Sequence, residues 1–130
     1  METERLKKKI LETRSVNIEK MLACCDEVYP IAEKTDNYEL IGFLYFYKGE
    51  AYYIHNQIKP MFECMTKAIP YLIKTEQWEL LSRAYNIMAI TAINRGNAPV
   101  AVDYYLTSLE CARKHDMRLD ECRVHINLGY

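Results

Sequence analysis

The chain has 130 residues, half of them apolar, which fits one domain of ordinary size. Seventeen Lys and Arg stand against eighteen Asp and Glu, so the net charge of −1 gives no bulk attraction for nucleic acid. Four Gly and four Pro are too few for a loop-rich or all-β fold. We therefore expect an all-α chain that does not bind nucleic acid.

The amino-terminal sequence and the cysteines bear on location and chemistry. The first nine residues lack the apolar stretch of a signal peptide, and their Lys7-Lys8-Lys9 run predicts a solvated helix face. No apolar run approaches the roughly 20 residues that span a bilayer. Five Cys, an odd number without a C-x-x-C pair, indicate buried reduced thiols. We expect a cytoplasmic chain with no membrane partner, no metal and no cofactor.

An internal repeat organises the sequence. Residues 17–40 align without a gap on residues 57–80, and eight of the 24 aligned positions are identical. The same offset of 40 links the small residues Gly49, Ala89 and Gly129. A fixed period in this range is typical of proteins built from stacked supersecondary units.

Each unit contains two helical patterns, because apolar residues recur at i, i+3, i+4 and i+7. Pro30 and Pro70 fall well inside the second helix of their units. We predict that each proline kinks its helix, with an early helix end as the alternative. About seven helices are predicted, at 2–14, 18–35, 38–54, 58–75, 78–94, 98–115 and 119–130.

These helices predict an α-solenoid, in which antiparallel helix pairs stack one on another. We predict one domain over residues 1–130. The last predicted helix carries apolar residues on several sides, so we expect the chain to be a piece of a longer protein. The predicted units are about 1–36, 37–76 and 77–116, with the start of a fourth at 117–130.

A small residue in mid-helix, followed by a turn and a second helix, recurs along the chain. It is carried by Tyr85-Asn86-Ile87-Met88-Ala89 before Gly96-Asn97, by Ala101, Tyr105 and Ser108 after them, by Gly49-Glu50-Ala51-Tyr52 before Met61, Met65 and Ala68, and by Asn127-Leu128-Gly129. This pattern resembles the tetratricopeptide repeat, which implies a solenoid that binds proteins or peptides. The period of 40 departs from the family's 34, and the family's closing proline is missing from its usual place.

A narrower resemblance concerns residues 81–86 and 96–106. They are similar to the amino-terminal repeat arrays of bacterial signalling proteins, in which a GGDEF-type diguanylate cyclase domain often follows. The resemblance implies a sensory or regulatory region. The GGDEF motif is absent from these 130 residues, so no catalytic residue is assigned and any enzyme activity would belong to a further domain.

The first helix of each unit carries a stripe at i, i+3, i+7 and i+10 whose chemistry changes between units. Packing between like repeats should keep the chemistry constant, so we predict that the stripe lines the concave groove of the solenoid. The alternative is a solvated or partly packed face without a ligand. The predicted groove residues are Phe43, Phe46, Glu50, Tyr53, Arg83, Asn86, Ile90, Ile93 and Arg123.

Function is predicted from this groove. Aromatic and Arg side chains are common anchors of binding surfaces. Arg83 and Arg123, with Asn86, could hold a carboxylate or a peptide backbone, or could instead pair with Glu50. We predict a protein- or peptide-binding module. The alternative is a peptide-signal or small-molecule receptor that controls a carboxyl-terminal output domain, and a homodimer through exposed terminal helices is a further expectation.

Overall fold

The computed structural model describes residues 2–14 and 16–114, which form six α-helices joined by short turns. In chain order these are α1 (Glu2–Arg14), α2 (Ile18–Lys34), α3 (Tyr38–Ile54), α4 (Ile58–Lys74), α5 (Trp78–Asn94) and α6 (Ala98–Lys114). The all-α prediction is confirmed, and each helix begins and ends within one residue of its predicted bounds. The predicted count of about seven exceeds these six because the helix predicted at 119–130 lies outside the described residues.

A three-residue turn follows each of α2, α3, α4 and α5. Its middle residue has a left-handed backbone in every case, at Asp36, Asn56, Glu76 and Gly96 (φ 50°, 57°, 58° and 77°). In the first turn the N–H of Asn37 donates to the carbonyl of Ala32 at 2.8 Å, and the N–H of Asp36 donates to that of Glu33 at 3.2 Å. These two bonds satisfy carbonyls that the helix end would otherwise leave unpaired, and they define a Schellman motif.

The two mid-helix prolines do not end their helices. Pro30 lies inside α2 and Pro70 inside α4, and both helices continue to a lysine four residues further on. The alternative of an early helix end is therefore wrong. Both prolines are exposed, so the carbonyl four residues earlier, which loses its N–H donor, can be reached by water. The repeated kink stays a prediction.

The chain divides into two compact units, Met1–Thr75 and Glu76–Tyr130. In the first unit α3 is the central helix, because it packs against α1, α2 and α4. Two glycines allow α4 to approach α3 closely. A Cβ atom on Gly42 would lie 2.9 Å from the Cβ of Tyr71, and one on Gly49 would lie 2.9 Å from the Cε of Met65.

The second unit is described through its helix pair, α5 and α6. Ser82 of α5 and Ser108 of α6 are buried and hydrogen-bond to each other, with 2.9 Å between their Oγ atoms. Ser108 Oγ also donates to the carbonyl of Ser82 at 2.8 Å. Ala89 is fully buried in a cluster with Tyr105 and Leu109 of α6. Small buried residues and the hydrogen bonds between Ser82 and Ser108 therefore hold α5 and α6 together.

Burial follows the 40-residue period of the sequence. The five buried residues of α2 and the five of α4 occupy equivalent positions: Met21, Cys24, Cys25, Val28 and Ala32, and Met61, Cys64, Met65, Ala68 and Leu72. Equivalent positions thus have the same structural role in the two helices. The stacking of all units into a solenoid, the unit bounds and the single domain stay predictions.

Replacing Ala89 by Leu should destabilise the second unit. The larger side chain has no space beside Tyr105 and Leu109, so we expect a cost of about 1–3 kcal/mol in the free energy of unfolding. The control is Ala23→Leu, which makes the same change at an exposed position inside α2. Thermal melts of both variants give the comparison, and an Ala89→Leu midpoint at or above that of the parent would contradict the packing described above.

Candidate functional site

The predicted groove stripe on α3 is largely a packing face. Phe46 is fully buried, and Phe43 and Glu50 are 7% exposed. The helix α1 supplies cations to this face: the Nζ of Lys7 lies 5.1 Å from the centroid of the Phe43 ring. The prediction that Phe43 and Phe46 line an open groove is therefore wrong, because both rings are packed in the interior of the first unit.

Arg14 makes a further contact between α1 and α3. Its guanidinium carbon lies 5.4 Å from the centroid of the Tyr47 ring. Tyr47 in turn packs its ring against Phe46, edge to face, at 5.0 Å between centroids. Lys7 also pairs with Glu39 of α3, whereas Lys8 and Lys9 are exposed as predicted for the whole lysine run. The two cations of α1 that face α3 therefore rest on aromatic rings.

The remaining predicted groove residues differ in exposure. Tyr53 is half-buried at the end of α3. In the second unit Asn86 is buried, so its predicted exposure in an open groove is wrong. Arg83 and Ile90 are half-buried and Ile93 is exposed, and the role of these three and of Tyr53 as ligand contacts stays a prediction. Arg123 lies outside the described residues.

A cavity of about 500 Å³ lies in the first unit, where α1 ends, α2 begins and α3 ends. We call it the Glu50 cavity. Its apolar lining residues are Val16, Ile18, Met21, Ala51 and Ile54, and its polar ones are Arg14, Asn17, Glu19, Glu50 and His55. Its volume is in the range of small-ligand sites. One predicted groove residue, Glu50, therefore does line a cavity.

The Glu50 carboxylate is the central charge of this cavity. It is buried, and its Oε1 lies 2.8 Å from Nη2 of Arg14, whose side chain is 44% exposed. A buried carboxylate is costly unless a cation compensates it. Glu50 is thus the buried member of this ion pair, and Arg14 is the member that remains accessible to solvent.

Backbone dipoles add to the negative character of the site. The helices α1 and α3 both end here, and a helix carboxyl end carries partial negative charge. The amino end of α2 also lies here and carries partial positive charge, with one of its N–H groups, that of Lys20, donating to the side chain of Asn17 at 2.8 Å. Two carboxyl ends outweigh this single amino end. The field at the cavity therefore favours a cation.

The cysteines contribute packing in the described residues. Three of them, Cys24, Cys25 and Cys64, are buried, and Cys111 is half-buried. Cys122 lies outside the described residues. Cys25 Sγ donates to the carbonyl of Leu44 at 3.9 Å. Burial raises the pKa of the Cys25 thiol to about 12. Within residues 2–14 and 16–114, no group of three or more His, Cys, Asp or Glu side chains is arranged to hold a metal ion.

Comparisons with known proteins give no relative. Neither the protein-family models, nor the curated proteins, nor the solved structures contain a match to this chain. Every described helix is too short or too polar to traverse a lipid bilayer.

The raised pKa of Cys25 predicts slow alkylation. At pH 8 a thiol with a pKa of about 12 is ionised in about one molecule in ten thousand, and only the thiolate reacts. We expect iodoacetamide to label Cys111 of the native protein well before Cys25, and to label both after unfolding in urea. Mass spectrometry of tryptic peptides measures both rates. Equal rates for the two cysteines in the native protein would contradict the buried position of Cys25.

Proposed function

We propose that this chain is a binding module that recognises a protein or peptide segment at the Glu50 cavity. The observation that carries the proposal is a buried carboxylate in a cavity whose rim exposes apolar side chains. Ile54 is 63% exposed and Val16 is 58% exposed, and both line the cavity. A few fixed polar groups among apolar walls are typical of binding sites.

The family and cellular role belong to the same proposal. The 40-residue period, now matched by the burial of α2 and α4, supports assignment to a tetratricopeptide-like repeat. We assign the module to the cytoplasm, as the sensory or regulatory region of a bacterial signalling protein such as a diguanylate cyclase. The support is the sequence resemblance of residues 81–86 and 96–106. Exposed Leu11 on α1 is the feature that favours a homodimer through a terminal helix.

A second candidate is a receptor for a small molecule or a short peptide signal. The volume of about 500 Å³ favours it, because this is room for a small ligand rather than for an extended chain. In that case the ligand would change the packing of α1 on α3 and so pass a signal to an output domain. A compact ligand and the end of a peptide both fit a cavity of this volume.

A peptide selection tests the first candidate. The full chain is immobilised, a phage-displayed random peptide library is selected on it, and the selected peptide is titrated by calorimetry. We expect Ile54→Asp to weaken its binding by at least about tenfold, because the change puts a charge on the apolar rim. Since Ile54 is exposed, the fold should not change.

The matched control is Ile31→Asp, which alters an exposed isoleucine of α2 that does not line the cavity. We expect it to bind the selected peptide like the parent. Equal losses for the two variants, or no loss for Ile54→Asp, would place peptide binding elsewhere. A library that yields no binding peptide would remove the peptide-binding candidate and leave the small-molecule receptor.

A further inference from the structure

We propose that the Glu50 cavity binds a ligand in which a cation is attached to a short apolar group. In the absence of ligand, Arg14 of the protein itself pairs with the Glu50 carboxylate, and the cation of the ligand displaces it on binding. The ligand class is a primary ammonium or a guanidinium ion. This inference rests on the proposed function, because it names the chemistry that the same cavity would recognise.

The charges around the cavity favour a cation. Among the described residues that line it, Glu50 and Glu19 are acidic and Arg14 is the one permanently charged cation. The carboxyl ends of α1 and α3 add partial negative charge. An anionic ligand would have to approach the buried Glu50 carboxylate, which like-charge repulsion opposes.

Arg14 can leave the Glu50 carboxylate and still have favourable contacts. Its side chain is nearly half exposed, and its guanidinium also lies over the Tyr47 ring. When a ligand takes its place at Glu50, Arg14 can keep the ring contact and recover water around its free N–H groups. Glu50 has no such freedom, because it is buried and must have a cationic partner.

The walls set the shape of the rest of the ligand. Met21 and Ala51 are buried at the cavity, and Ile54 stands exposed at its rim. A short apolar chain attached to the cation would contact these side chains while its charged end reaches Glu50. The end of a lysine or arginine side chain has this chemistry, and so does the amino terminus of a peptide that begins with an apolar residue.

Small charged probes test the assignment in the full chain. Amide resonances of the ¹⁵N-labelled protein are followed during titration with n-butylammonium and, separately, with butyrate, to about 50 mM because fragments this small bind weakly. We expect n-butylammonium to shift the resonances of Ala51, Ile54 and Ile18 in a saturable way, and butyrate not to. Leucinamide should bind more tightly than N-acetyl-leucinamide if the source of the cation is a peptide amino terminus, and N-acetyl-lysinamide should bind if it is a lysine side chain.

Two variants should have opposite effects on the binding of n-butylammonium. Glu50→Gln should weaken n-butylammonium binding at least about tenfold. Arg14→Gln should strengthen it severalfold, because the internal competitor is removed. Glu50→Gln should fold, because it leaves Arg14 in contact with solvent. Arg14→Gln removes the cation beside the buried Glu50 carboxylate and should lower stability, and n-butylammonium, which supplies a cation there, should raise the thermal midpoint of this variant. The control is Lys48→Gln, which removes a lysine that pairs with Asp26 at 3.3 Å outside the cavity. This variant should bind n-butylammonium like the parent.

Three results would overturn the assignment: preferential binding of butyrate, weaker ammonium binding in Arg14→Gln, or no saturable shift with n-butylammonium in either the parent or Arg14→Gln. In the last case a selected peptide that still depends on Ile54 would preserve the proposed function and remove only the ligand class. If the peptide selection also fails, the cavity loses its role as a peptide site.

Discussion

The structure depends on one constraint, a three-residue turn whose middle residue is left-handed. The turn recurs every 20 residues, at Asp36, Asn56, Glu76 and Gly96. Successive turns hold each of α3, α4 and α5 at 17 residues, and two such helices with their turns make the 40-residue sequence period. Three of the four left-handed positions carry a side chain, at a cost of about 1–2 kcal/mol each, which the Schellman hydrogen bonds and helix packing must offset.

The candidate site follows from how the first unit uses this period. The helix α1 supplies Lys7 and Arg14 to the aromatic and acidic face of α3. Cation–ring contacts contribute about 0.5–2 kcal/mol, more when water is excluded. The same packing buries Glu50 and leaves the cavity where α1 and α3 end. Ligand binding at the Glu50 cavity would thus act on the contact between α1 and α3, which is the physical route that the proposed regulatory role requires.

The sequence predicted the helices well and the site only in part. The helix ends could be predicted because short turns interrupt a clear helical periodicity. The error at Phe46 has a physical cause. A stripe that varies between repeats was assigned to a ligand, but in α3 two members of the stripe, Phe43 and Glu50, contact Lys7 and Arg14 of α1. Arg14 and Tyr47 were missed, since their pairing depends on tertiary contacts that no local pattern shows.

The helix α1, through Arg14 and Lys7, covers the face of α3 that was predicted to form an open groove. The most direct measurement is the nuclear Overhauser effect in solution between side-chain protons of Arg14 and ring protons of Tyr47. With the guanidinium carbon 5.4 Å from the ring centroid, we predict clear cross-peaks and upfield ring-current shifts of the arginine protons. Arginine shifts at random-coil values, with no cross-peak to Tyr47, would show that Arg14 does not hold α1 on α3 in this way.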